Sequence, residues 1–260
     1  MSRRRPTGLP GTPPVRVAGR PVPADTWRAI VRSCGARLGD LPEHLALQAC
    51  LTLVSPMRGC RTQVAGFPTM DMHEFWGVIE TARSAATADK PFAEALVDEL
   101  ASRTKGDILS YQERFEEVHD AVYRWDVWAA AYLIGGGCSD DSFMDFRAGL
   151  IALGCDWYEK AAACPDSLAE HPDVIDAARA QRDEAVFDEA ANYAASNAFE
   201  RLTGDDHAFY EAWDAYKTSC EEHSQQDADD MGEDFDFDDP EEMRLRLPRL
   251  SALYLHNAAH

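Results

Sequence analysis

Trp125–Ile151, WDVWAAAYLIGGGCSDDSFMDFRAGLI, runs from an apolar segment into three glycines and out into a second apolar segment. Glycine just past a helix end supplies the left-handed residue that closes the helix. Serine or aspartate ahead of the next apolar run caps a new helix, and acidic residues suit its positive end. The stretch therefore predicts two helices joined by a tight turn, with Ser139 or Asp140 as the cap of the second.

Upstream, Ile108, Tyr111, Phe115, Val118, Val122, Trp125, Ala129 and Tyr132 recur every three or four residues, which predicts one helical face from about 107 to 134. Its second half is apolar on nearly all sides, as a buried central helix would be. At residues 71–82, Asp71 and Glu74 have capping-box spacing and Phe75, Trp76, Ile79 and Ala82 form a stripe. A helix near 89–104 opens at DKP, with proline in its first turn and a stripe of Phe92, Leu96 and Leu100. Downstream, SFMDFRAGLIALGCDWYEKAAA predicts one helix, ACPDSLAEHPD a break, and 173–202 and 206–222 further helices. Strand-like alternation and hairpin dipeptides are missing, so β content should be slight. The expected fold class is all-α, a compact multi-helix domain around a central buried helix (about 107–134) in a helical hairpin.

The 260 residues carry a net charge of −21, unevenly spread. Residues 1–69 hold ten arginines, no lysine and only Asp25, Asp40 and Glu43, leaving 15 basic and 43 acidic residues, a net of −28, for residues 70–260. A body that negative repels phosphate backbones and anionic membranes, so nucleic acid and membrane are not expected partners. A basic protein is compatible, and so is an acidic surface that serves only solubility. Residues 1–69 read as an Arg/Pro-rich extension, partly disordered, and 70–260 as an acidic helical domain. Either the start is misassigned, with Met70 and Met72 as candidate initiators, or an arginine-rich tail folds back on the acidic body. No apolar run approaches the roughly 20 residues of a membrane span, and the N-terminus lacks the apolar core of a secretory signal. Seven cysteines without a CxxC pair argue for a reduced, cytoplasmic protein.

Chemistry-bearing residues gather at the hairpin: Asp126, Cys138, Ser139, Asp140, Asp141 and Arg147. Cap and turn chemistry accounts for all of GGGCSDD. Phosphate binding meets Asp140 and Asp141 at the positive helix end and lacks the Lys and Ser/Thr of a Walker loop. Neighbouring carboxylates raise the pKa of Cys138, which reads better as a small buried hydrophobe than as a nucleophile. Asp126 and Arg147 come level if the helices fold back antiparallel, either as a pair in a pocket or as a structural ion pair; Asp126 facing water is the third possibility. From Asp227 the acidic run partly mimics a calcium loop, but Met231 stands at its fifth position and Asp238, instead of Glu, at its twelfth. Phe235 and Phe237 suggest that this run anchors to the body. HExxH and GxSxG are absent, so no catalytic residue, metal or cofactor is assigned.

MDMHEFWGVIETAR, YRWDVWAAAYLIGGGCSDDSFMDFRAGLI, CPDSLAEHPD and FDFDDPEEMRLRLPRL together resemble the bacterial domain-of-unknown-function family numbered 4240 (DUF4240), over about residues 70–250. The chain departs from it at Gly149, where the family tends to have Trp, and at Cys155, where it has Arg. The resemblance implies an α-helical bacterial domain, frequent in actinobacteria, without an assigned activity. Two functions are expected. The preferred one is a non-enzymatic, immunity- or accessory-like module that binds or regulates a basic partner. The alternative is a small-ligand protein or enzyme using a polar pocket at the hairpin.

Overall fold

The computed structural model describes residues 16–17, 20–21, 69–183, 185–220 and 231–255. The expected helices within 24–55, the fold-back of the basic tail and the start of the calcium-like run lie outside the described residues. The chain divides into two units, Met1–Ser55 and Pro56–His260. In the first, β1 (Arg16–Val17) pairs antiparallel with β2 (Arg20–Pro21).

Everything else described is helical apart from turns and one isolated bridge, Thr87–Lys90. The order is α1 (Met72–Ala85), α2 (Phe92–Ala101), α3 (Lys105–Asp120), α4 (Trp125–Gly135), α5 (Asp140–Ala152) and α6 (Cys155–Ala163). A 3-10 turn (Pro165–Glu170) and α7 (Pro172–Arg179) follow. Then come α8 (Glu189–Asn192), α9 (Ala194–Thr203), α10 (Ala208–Cys220), α11 (Pro240–Arg246) and α12 (Pro248–Tyr254). The all-α class is as expected. Asp71 closes the capping box of α1 with Glu74 in both directions. Pro91 stands one residue before α2, at its N-cap instead of inside its first turn.

Three expected helices are broken, each for a physical reason. The stripe of 107–134 belongs to two helices, α3 and α4. Between them Arg124 is extended (φ −141°, ψ 150°), a tertiary acceptor replaces the helical one for Trp125, and the Arg124 side chain is held by a remote carbonyl. Trp125 N–H donates to the Met231 carbonyl at 3.0 Å, and Arg124 Nη1 donates to the Ala162 carbonyl at 2.9 Å. The helix expected through ALGCDWY stops at Ala152 and restarts at Cys155, because Gly154 takes φ +88°. A side chain there would meet Arg83 and Glu80, each at 2.3 Å from the added Cβ. The helix expected over 173–202 becomes α7, α8 and α9, separated by an irregular segment containing Gln181 at φ +50° and Val186 at φ +76°.

One core joins the elements. Phe75, Val78 and Ile79 of α1 meet Leu96 and Leu100 of α2 and Ile108, Tyr111 and Phe115 of α3. From α4, Val127, Ala129, Ala130, Ala131, Leu133 and Ile134 are buried, so this short helix is central as expected. Each large apolar side chain so buried contributes about 1.5–3 kcal/mol. Among the described residues no helix is long and apolar enough to cross a membrane.

Candidate functional site at the helical hairpin

The turn between α4 and α5 is built as its sequence suggests. Gly136 is left-handed (φ +62°), and the Gly137 N–H donates to the Tyr132 carbonyl at 2.9 Å. Ser139 Oγ accepts from the Ser142 N–H at 3.2 Å, capping α5, while Asp140 and Asp141 sit exposed in its first turn. The space between the helices is filled. Trp128 stacks on Phe143 (4.7 Å, 13°) and on Trp125 (5.5 Å, 10°). The Trp128 indole donates to the Cys138 carbonyl at 3.1 Å. Burial pushes the Cys138 thiol up to about 12, with Asp145 adding to the shift, so it is a thiol and not a thiolate at neutral pH.

Asp126 and Arg147 do not meet. Because α4 begins at Trp125, Asp126 lies in its first turn with its side chain 46% exposed, held by Arg124 (Nε–Oδ1 3.0 Å, Nη2–Oδ2 2.8 Å) and accepting from the Val127 N–H. A carboxylate there suits the helix N-terminus and needs no distant partner. Arg147 is buried and points to the end of α3, where it donates to the His119 carbonyl (3.3 Å) and pairs with Asp120 (3.6 Å). Its guanidinium lies 4.7 Å from the Tyr123 ring centroid and 5.1 Å from that of Phe143. It is a cross-brace between α3 and α5.

A short strap, residues 185–188, crosses the hairpin on the side of its glycines. An added Cβ at Gly149 would fall 1.4 Å from the Val186 carbonyl oxygen, and one at Gly135 would fall 3.0 Å from Phe187 Cζ. Phe187 packs edge-on against Phe146 (5.2 Å, 60°). The Asp188 N–H donates to the Asp145 carbonyl at 3.1 Å, and Asp188 Oδ1 caps α8. A β-branched residue at positive φ carries strain of about 1–3 kcal/mol. That is comparable to what burying a phenylalanine ring contributes, about 1.5–3 kcal/mol when the ring is fully buried, and Phe187 is only partly so. The strap also brings like charges together. Burial raises the pKa of Asp145, and Glu189, Asp141 and Asp188 raise it further against the opposing Asn192 hydrogen bond (3.0 Å). Asp188 is likewise raised by burial.

From Met231 on, the acidic run lies along α4 and is anchored as its phenylalanines suggest. Phe237 packs on Trp125 (6.0 Å) and Tyr132 (5.5 Å), Phe235 packs on Phe237, and the Tyr132 hydroxyl donates to Asp238. Arg246 pairs with Glu233 at 3.2 Å. Among the described residues Asp140, Asp141, Asp183, Glu189, Asp234 and Asp236 form no ion pair. No group of three or more His, Cys, Asp or Glu side chains among the described residues is arranged to hold a metal.

Sequence reasoning missed Asp166. Buried in the 3-10 turn, it accepts from the backbone N–H groups of Arg249 (3.0 Å) and Leu250 (2.9 Å) and from Arg249 Nε (3.0 Å), so it caps α12 from 83 residues away. Local spacing carries no signal for so distant a partner. Two open depressions lie away from the hairpin. One, of about 640 Å³, is lined by Val97, Asn197 and Glu200; the other, of about 470 Å³, by Glu80, Arg83, Cys155 and Trp157. Burial, with Glu159 and Asp156 adding to it, raises the Cys155 thiol to about 11.

Fold and site together define an all-α domain whose hairpin is closed by aromatic packing and rimmed by carboxylates. The family model described as "Protein of unknown function (DUF4240)" matches residues 70–201, half of the chain, and the chain belongs to this family. The match ends within α9, so FDFDDPEEMRLRLPRL, which shares the resemblance, lies beyond it. No curated protein and no solved structure matches the chain.

Proposed function

We propose that the chain is a non-enzymatic, acidic binding module that engages a basic segment of another protein at the hairpin end. The observation that carries this reading is the excess of carboxylates around the turn. Asp140, Asp141, Asp183, Glu189 and Asp236 form no ion pair among the described residues, within a body of net charge −28. Carboxylates gathered without counter-charge raise the local concentration of a cationic partner and speed its encounter. A ligand pocket between α4 and α5 would need the space that Trp128 and Phe143 fill, and a nucleophilic Cys138 would need a thiolate its surroundings oppose.

The test is fluorescence anisotropy of a labelled oligo-arginine peptide titrated with the full chain. Attraction between exposed charges is screened over about 8 Å at physiological ionic strength, so binding should weaken steeply as salt is raised. Reversing Asp140 and Asp141 to Lys should weaken it about tenfold at low salt, about 1.4 kcal/mol. Binding indifferent to both salt and charge reversal would exclude the electrostatic module.

A further inference from the structure

Phe187 fills a slot walled by Gly135, while Gly149 leaves room for the backbone of the strap that carries the ring. Its ring lies against Gly135, edge-on to Phe146, and the preceding carbonyl lies where a side chain on residue 149 would be. We propose that this slot is a docking site for an aromatic side chain of a partner protein flanked by Lys or Arg, and that Phe187 is its internal stand-in, displaced on binding. The inference rests on the acidic-module reading and adds to it the place and the chemistry of contact.

Three observations carry it. The slot already accepts a six-membered ring, held by a wall without side chains and by an edge-on aromatic contact, the arrangement that aromatic pairs prefer. The segment that delivers Phe187 is held with Val186 at φ +76°, a conformation β-branched residues avoid, so release of the strap relieves strain that offsets much of the ring's burial. The strap is also the wrong charge for its place. It brings Asp188, and Glu189 beside it, next to Asp145 and Asp141, with Asp183 against Gly136, and these like charges oppose docking. A partner ring flanked by cations would make the same ring contacts and turn that repulsion into attraction. The docked strap lowers apparent affinity by the fraction of molecules in which the slot is open.

The experiment uses the full 260-residue chain and two fluorescein-labelled peptides, Lys-Arg-Phe-Arg-Lys and Lys-Arg-Ala-Arg-Lys. The phenylalanine peptide should bind about fivefold tighter or more than its alanine control, as an anchor ring entering a pocket does. Phe187→Ala, which removes the stand-in, should tighten the phenylalanine peptide several-fold and leave the alanine peptide unchanged. A measurement on the unaltered protein guards against a variant that fails to fold. In hydrogen exchange, saturating phenylalanine peptide should lower protection of the 185–188 amides while α4 and α5 hold or gain theirs. Protection of 185–188 that stays constant or rises overturns the proposal, as does a Phe187→Ala protein that binds both peptides alike. Equal, salt-sensitive binding of both peptides to the unaltered protein removes the slot but leaves the acidic module standing. No binding of either peptide removes both.

Discussion

Asp145 shows how a single residue acquires its character from packing. The sequence places it one turn into a capped helix, an ordinary solvent-facing position. The strap then covers it, and burial together with Glu189, Asp141 and Asp188 raises its pKa. A carboxylate raised in the folded state binds its proton earlier there than in the unfolded chain. Its ionisation therefore costs stability above the folded pKa, and that cost disappears as pH falls through the folded value toward the unfolded one. Asp145→Asn keeps an acceptor for the Asn192 amide and removes the charge. It should raise Tm at pH 7, and the gain should vanish below about pH 4, near the ordinary carboxylate value. Melting curves of both proteins across pH 3–8 measure it, and a gain that persists at pH 3 would mean that charge is not the cause. Asp126 and Arg147 teach the converse. Their heights along two helices allowed a pair, but the true start of α4 leaves Asp126 half-exposed, as the water-facing alternative had it, and side-chain direction takes Arg147 to α3; neither is encoded in spacing.

At the scale of elements, local signals fared well wherever the physics is local. The capping box of α1, the left-handed Gly136 and the Ser139 cap each need only neighbours three or four residues away. The breaks at 121–124, at Gly154 and before Asp188 were hidden because their partners are remote: the Met231 carbonyl for Trp125, Glu80 and Arg83 against Gly154, and the Asp145 carbonyl for Asp188. The α12 cap is the extreme case. Asp166→Ala would strand two backbone N–H groups and half of the Arg249 ion pair, and should cost about 3 kcal/mol, in the range for breaking a buried charged contact. Chemical denaturation reads the loss directly. A change below 0.5 kcal/mol would show that water replaces the carboxylate without penalty. Because α12 packs on α4 and α7, proteolytic susceptibility should appear first at the C-terminus of this variant.

Across the whole molecule, charge is the dominant long-range term. A body of net charge −28 repels itself, and the repulsion falls as counterions screen it. Raising sodium chloride from about 10 mM to about 300 mM, which shortens the screening length from about 30 Å toward 5–6 Å, should raise Tm. A Tm that falls instead would mean that local pairs such as Arg103–Glu99 and Arg246–Glu242 outweigh the global repulsion. The proposed acidic module uses the same carboxylates that burden the fold, so stability and binding should respond to salt in opposite directions.

By itself the sequence determined the helical class, the capped turn at GGGCSDD, the buried character of α4 and the sign of the surface. Each follows from periodicity, capping or composition, which are properties of near neighbours or of sums. Only the tertiary structure decided where long helical stripes break, that Trp128 stacks on Phe143 beside the turn, that Asp126 and Arg147 stay apart, and that Phe187 lies against Gly135 while Gly149 admits the strap's backbone. Those features depend on which remote carbonyl, ring or missing side chain the folded chain brings alongside, and no spacing along the sequence encodes that.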